Sequence, residues 1–233
     1  MANFRELFHG ASPCITCQQF ATMEFPQKIE VIDQLFQLDQ LLIECLEHLT
    51  LEEWELATIV PQWSIKDIAA HLLDGNLRAL SMLRDGYFNT PNQDTSSYPA
   101  LVQYLNELNA TWVSATQRLS PRVLTDLLQT TGPAYCRFLA SLPPDEPATF
   151  AVAWAGETYS PNWFHIARDY TEKWHHQQQI RAALNQEQTL LSDHFYFPYL
   201  DTSVRALPYH YREVRGTPGD LIQFTFTGEV DRS

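Results

Sequence analysis

Glu172 and His176 stand four residues apart in TEKWHHQQQIRAAL, residues 171–184. On an α-helix such a pair shares one face, with Cβ atoms about 5 to 6 Å apart, so a carboxylate oxygen and an imidazole nitrogen can reach one ion. His175, one step along, points a quarter-turn or more away, so the spacing selects His176 as the partner of Glu172. The same spacing also describes an ordinary surface pair worth a few tenths of a kcal/mol. A third donor would separate these readings, and the candidate is His71 in KDIAAHLLDG. Its neighbours Ile68, Ala69, Ala70, Leu72 and Leu73 turn it inward, where a histidine serves equally as a core residue with satisfied nitrogens.

The other chemistry-bearing residues group less well. His165 shares the Glu172 side of the helix but lies about 10 Å along the axis from it and about 16 Å from His176, beyond one coordination sphere. It is expected to pack or to line a pocket. His9, His48, His194 and His210 have no partner at a ligand spacing. Cys14 and Cys17 form a C-x-x-C without a second pair or a thioredoxin-like βαβ context, and with Cys45 and Cys136 they are expected to be thiols.

Donors on two separated stretches need helices to bring them together. Ile32, Leu35, Leu42, Cys45, Leu46 and Leu49 recur at helical spacing and predict a first helix over about residues 26–49. Ser64 with Asp67 forms a capping-box-like pair that opens a second over 65–84, which contains His71 and closes at Gly86. Leu101, Leu105, Leu108 and Trp112 predict a third over 98–119. Ser120 and Pro121 open a further stretch to about 142, interrupted near Gly132 and Pro133. Ser160 as cap and Pro161 at the first helical position open the last, to about 184, which holds Glu172 and His176.

The expected fold is therefore all-α, an up-and-down four-helix bundle whose sites are built by side chains from facing helices. Beyond it, FPYLDTSVRALPYHYREV reads as a short C-terminal helix, and LIQFTFTGEV alternates with the period of a β-strand. A lone strand must pair elsewhere. The expected organisation is a poorly ordered extension over 1–22, with Met23 a candidate start, the bundle over 23–192, and over 193–233 the start of a truncated C-terminal α/β domain. The unpaired strand also makes a homodimer an expectation.

A net charge of −13 argues against nucleic acid and anionic membrane as partners, since both reward clustered Lys and Arg. With 45% hydrophobic and 18% charged residues the 233-residue chain can bury a core. It has no apolar run of the roughly 20 residues that would cross a bilayer, and its start lacks a signal-like apolar stretch, so the expected location is the cytoplasm.

The stretches QWSIKDIAAHLLDG, QYLNELNATWVSATQRLSPRVLTDLL, WAGETYS and ARDYTEKWHHQQQIRAA resemble the DinB-like metal-binding superfamily, and most of all the mycothiol-dependent maleylpyruvate isomerase metal-binding domain, over roughly residues 25–215. The resemblance implies a four-helix bundle with a metal triad of His71, Glu172 and His176. Two histidines and one carboxylate with an open position make a catalytic type of zinc site, which nickel, iron or manganese can also occupy. Many relatives carry an aspartate where this chain has Gln179, three residues after the last ligand. The function implied is that of a metal-dependent enzyme in which a low-molecular-weight thiol, activated by the ion, attacks a small electrophile in a transferase or isomerase reaction. Trp63, Trp163 and Trp174 are candidates for apolar walls of the thiol or substrate pocket, with core packing as their plainer use. Arg181 is a candidate for a substrate carboxylate, or else supports the helix C-terminus. The family's isomerases carry a complete C-terminal domain, so the alternative is a non-catalytic metal- or small-molecule-binding bundle, the product of a truncated gene.

Overall fold

The computed structural model describes residues 27–88, 97–217 and 219–225, and these are all-α, with no sheet among them. Helix α1 (Ile32–Glu47) has no side-chain cap and is held instead by its buried stripe of Leu35, Leu38, Leu42, Ile43 and Leu46. After one capped turn, α2 (Leu51–Trp54), comes α3 (Ile65–Ala79). Here the sequence reading of Ser64 holds in detail. Its Oγ accepts from the Asp67 N–H at 3.3 Å and the Asp67 carboxylate accepts from the Ser64 N–H at 2.9 Å, which satisfies two N-terminal donors. The second half of the expected helix changes winding: Leu80–Arg84 form a π turn in which the Asp85 N–H reaches the Leu80 carbonyl at 3.0 Å.

Helix α4 (Tyr98–Thr116) is capped by Ser97, and α5 (Pro121–Ala140) by Ser120 with Pro121 in its first turn. The expected interruption near Gly132 and Pro133 does not occur. Pro133 removes one N–H, but α5 packs along both α1 and α3, and the buried side chains Leu128, Tyr135, Cys136 and Leu139 carry the helix across the gap. At Gly132 α5 lies close on α1: a β-carbon there would fall on the Asp39 carboxylate.

Helix α6 (Asn162–Ala183) starts with Pro161 as its N-cap rather than Ser160. Ser160 is buried and its Oγ is taken by the Val152 N–H at 2.9 Å and by the Glu157 carboxylate. The C-terminus is a Schellman arrangement: Asn185 takes a left-handed φ of 56°, while the Gln186 and Asn185 N–H groups reach the Arg181 and Ala182 carbonyls at 2.8 and 3.2 Å. Helices α7 (Asp193–Val204) and α8 (Leu207–His210) follow, and α7 packs on α6.

Two apolar clusters fill the interior. One gathers Leu35, Leu38, Tyr135, Leu139, Tyr170 and Trp174, the other Leu42, Leu46, Ile65, Ile68, Leu73, Leu128 and Ile180. Helix α6 belongs to both, and is tied onward by bonds from the Tyr170 hydroxyl to the Phe195 carbonyl (2.6 Å) and from Trp174 Nε1 to the Leu190 carbonyl (3.1 Å). Residues 221–225 run without strand pairing, and the rest of the LIQFTFTGEV stretch lies outside the described residues, as do Cys14, Cys17 and Met23. Among the described residues no helix is long and apolar enough to cross a membrane.

Candidate metal centre

Helix α3 brings His71 against the face of α6 that carries Glu172 and His176. Glu172 Oε1 lies 3.3 Å from His71 Nε2 and 3.1 Å from His176 Nε2. One ligand atom from each residue falls within 4.8 Å of the others. The two imidazole rings stand 4.6 Å apart, edge to face at 76°. Their side chains are only 7% and 13% exposed, whereas that of Glu172 is 62% exposed. The nitrogens thus form a sheltered wall, and the carboxylate faces solvent.

The charge states suit a cation. Burial lowers the His71 pKa, against an opposing bond to Glu172, and so disfavours the charged ring. For Glu172, crowding by protein raises the pKa, but the bonds to His176 and His71 outweigh it and hold the carboxyl well below its ordinary value. A neutral imidazole and an ionised carboxylate are the forms that ligate.

Around the triad lies a second layer of contacts. His176 Nδ1 is 2.8 Å from Gln179 Oε1, and Gln179 Nε2 is 2.8 Å from His175 Nε2. The His175 ring lies parallel to that of Tyr199 on α7, 6.4 Å away. His71 Nδ1 is buried without a hydrogen-bond partner, so in the ion-free ring the proton belongs on Nε2, where Glu172 accepts it. Of the candidate wall residues Trp63, Trp163 and Trp174, Trp63 lies beside the triad, its ring 5.2 Å from that of His71.

The others lie elsewhere. Trp163 is in the first turn of α6, about 13 Å along the axis from Glu172, and packs on Phe164 at 5.3 Å. Arg181 is 4% exposed, and its Nη2 donates to the Leu41 carbonyl of α1 at 3.0 Å, so it braces two helices from inside. Trp174 is buried between Tyr196 and Tyr199. His165, read as packing, is buried with Nδ1 3.3 Å from the Phe150 carbonyl.

Residues that the sequence reading did not single out lock α3, α5 and α6 beside the site. Lys173 Nζ donates to Asn76 Oδ1 and to the Leu72 carbonyl on α3, and stands 4.8 Å over the Tyr135 ring of α5. One turn before Glu172, the Arg168 guanidinium is held by Asp169 Oδ1 at 2.7 Å, and Asp169 Oδ2 accepts from the Tyr135 hydroxyl at 2.6 Å. The signal was phase: Lys173 and Asp169 fall on the inward side of α6, between Ile166, Tyr170 and Gln177, where a charge must be paired.

No curated protein and no solved structure gives a significant match to the chain. A family description, that of the mycothiol maleylpyruvate isomerase N-terminal domain, matches residues 35–181, from the first turn of α1 to the last of α6. That span holds both helices that carry the triad and covers well over half of the sequence; the chain belongs to the mycothiol maleylpyruvate isomerase N-terminal domain family.

Proposed function

We propose that His71, Glu172 and His176 bind one divalent ion, zinc before nickel, iron or manganese, and that the chain uses it to act on a low-molecular-weight thiol and a small electrophile. One observation carries this reading: two sheltered imidazole nitrogens and an ionised carboxylate oxygen converge within 4.8 Å while one side stays open to solvent. Such a donor set matches catalytic zinc sites, which keep a position for water or substrate. When bound, the ion supplies positive charge that favours thiolate over thiol near neutral pH. The residues of the chain do the rest. Glu172 balances part of the charge, Trp63 covers the His71 side with an apolar ring, and the Lys173 and Arg168 contacts keep α6 in register with α3 and α5. The reaction class that fits the family is transfer or isomerisation through a thiol adduct. The packing of α1, α3, α5 and α6 supports the up-and-down bundle as the frame of this site.

The test is metal content of the purified protein by plasma mass spectrometry, in the wild type and in His71→Ala and His176→Ala. About one ion per chain, absent from both variants, is the expected result. An ion-free wild type, even after incubation with zinc, nickel and iron, overturns the reading. Assays with a panel of thiols and electrophiles then separate catalysis from binding, reading thiol consumption for transfer and conversion of the electrophile for isomerisation, which returns the thiol: a loaded protein that does neither is a metal-binding module.

A further inference from the structure

Arg168, Glu172 and His176 stand on three successive turns of α6, each about 6 Å from the next along the axis, so an arginine follows the triad on one side of the helix. Arg181, the arginine expected to meet a substrate carboxylate, is turned against α1 instead. Arg168 is held differently. Its Nε and Nη2 both donate to Asp169 Oδ1, at 3.1 and 2.7 Å, and Nη2 lies 3.4 Å from His165 Nε2. His165 is itself buried and tied through Nδ1 to the Phe150 carbonyl at 3.3 Å. Among the described residues nothing bonds to the remaining nitrogen, Nη1, and the side chain is 29% exposed. The planar head is thus fixed along one edge and free at its end.

A guanidinium fixed in this way suits a planar anion. Burial works against its charge, but the Asp169 carboxylate, with Tyr135 and Glu172 adding to it, outweighs burial and keeps the group charged. Asp169 also sets the kind of anion. It cancels part of the positive charge, so a singly charged carboxylate fits where a dianionic phosphate would meet uncompensated repulsion. The same end of α6 has an apolar rim: Phe150, whose carbonyl holds His165, leaves its ring exposed edge to face with that of Phe88, 6.4 Å away. We propose that Arg168 is a specificity residue that binds a carboxylate of the small molecule occupying the open side of the triad. The inference rests on the thiol reading for the identity of that molecule, and the carboxylate belongs either to the thiol or to the electrophile. The recognised charge then lies one helical turn from Glu172, with the ligand stretched along α6.

Paired probes on the zinc-loaded protein test this by isothermal titration calorimetry: 5-mercaptopentanoate against 5-mercaptopentanol, and butyrate in the presence of saturating 2-mercaptoethanol. The wild type should bind the charged thiol about tenfold or more tighter than the alcohol. Arg168→Met should bring the two to equal affinity without moving that of the alcohol, and Arg168→Lys, which keeps the charge but not the fork, should restore part of the preference. That pattern assigns the carboxylate to the thiol. Its absence, together with butyrate binding that Arg168→Met abolishes, assigns the carboxylate to the electrophile. Neither dependence on Arg168 overturns the proposal. If Arg168→Met does not fold, or the wild type holds no zinc, phenylglyoxal labelling of Arg168 in the wild type decides, read by peptide mass spectrometry. Protection by butyrate and not by butanol is expected, and labelling that neither changes overturns the proposal. Protection in a protein that binds no zinc would defeat the metal reading and leave the carboxylate site standing.

Discussion

Glu172, proposed here as a metal ligand, sits in an exposed position, so its removal should be felt by an ion far more than by the fold. Glu172→Gln is expected to leave the denaturation midpoint nearly unchanged and to weaken zinc binding by more than about 100-fold, a larger loss than for a residue that acts through another; chelator competition measures it. Asp39 has the opposite character. Burial pushes its carboxyl up to about 6, against the pull of the Lys173 ammonium. A carboxyl whose folded pKa lies above its unfolded one favours the folded state while protonated, and that contribution fades as pH rises through about 6. Asp39→Asn should therefore stabilise the protein by roughly 1–3 kcal/mol at pH 8 and by almost nothing near pH 4, read from urea denaturation at the two values. At this scale the sequence disclosed what helical phase dictates. Glu172 and His176 share a face by spacing alone, while the inward direction of Arg181, about 140° around the helix from His176, places it against α1. Contacts set by side-chain rotamers, such as Gln179 on both histidines, leave no trace in a residue pattern.

The elements that hold these groups depend on a few local devices. The capping box of Ser64 and Asp67 anchors the helix that carries His71, and the Gln117 amide donates to the same Asp67 carboxylate from beyond α4. Ser64→Ala should cost about 1 kcal/mol in chemical denaturation. At Gly132, α5 lies close enough to α1 that a β-carbon would meet the Asp39 carboxylate. Gly132→Ala should destabilise by about 1–3 kcal/mol in the presence of the Asp39 carboxylate, through overpacking. Combined with Asp39→Ala, it should be neutral or stabilising, since the helix then gains a better former. The same measurement in single and double variants yields the coupling. The long helices were readable because caps and apolar periodicity agree: α3 begins at Ile65 and α5 at Pro121 as the sequence indicated. Where one residue had two uses the reading slipped. Ser160 looks like a cap but is drawn off by Val152 and Glu157, and Pro133 looks like a break but is overridden by packing on both sides.

For the whole molecule, an ion at the triad would join α3 to α6 and so stabilise the folded chain by mass action. Free zinc at 100 times its dissociation constant contributes about 2.7 kcal/mol, which for a chain of this size is a rise of about 5–10 °C in melting temperature. The rise should reverse on chelation and be absent in His71→Ala; differential scanning calorimetry decides it. The all-α class was plain from the sequence, because helical apolar spacing runs through each long segment, and no described segment outside the helices pairs as a sheet. The way α6 threads both apolar clusters was not, since that depends on contacts between distant stretches. The distance from His71 to Glu172 along the chain, 101 residues, also sets a clock during synthesis. A ribosome-bound chain that has not yet reached α6 owns a single donor of the three and can retain no ion there, however much metal the cell supplies. Metal binding at the triad could then begin only once α6 has been made, and a product released before that point would lack two of the three donors.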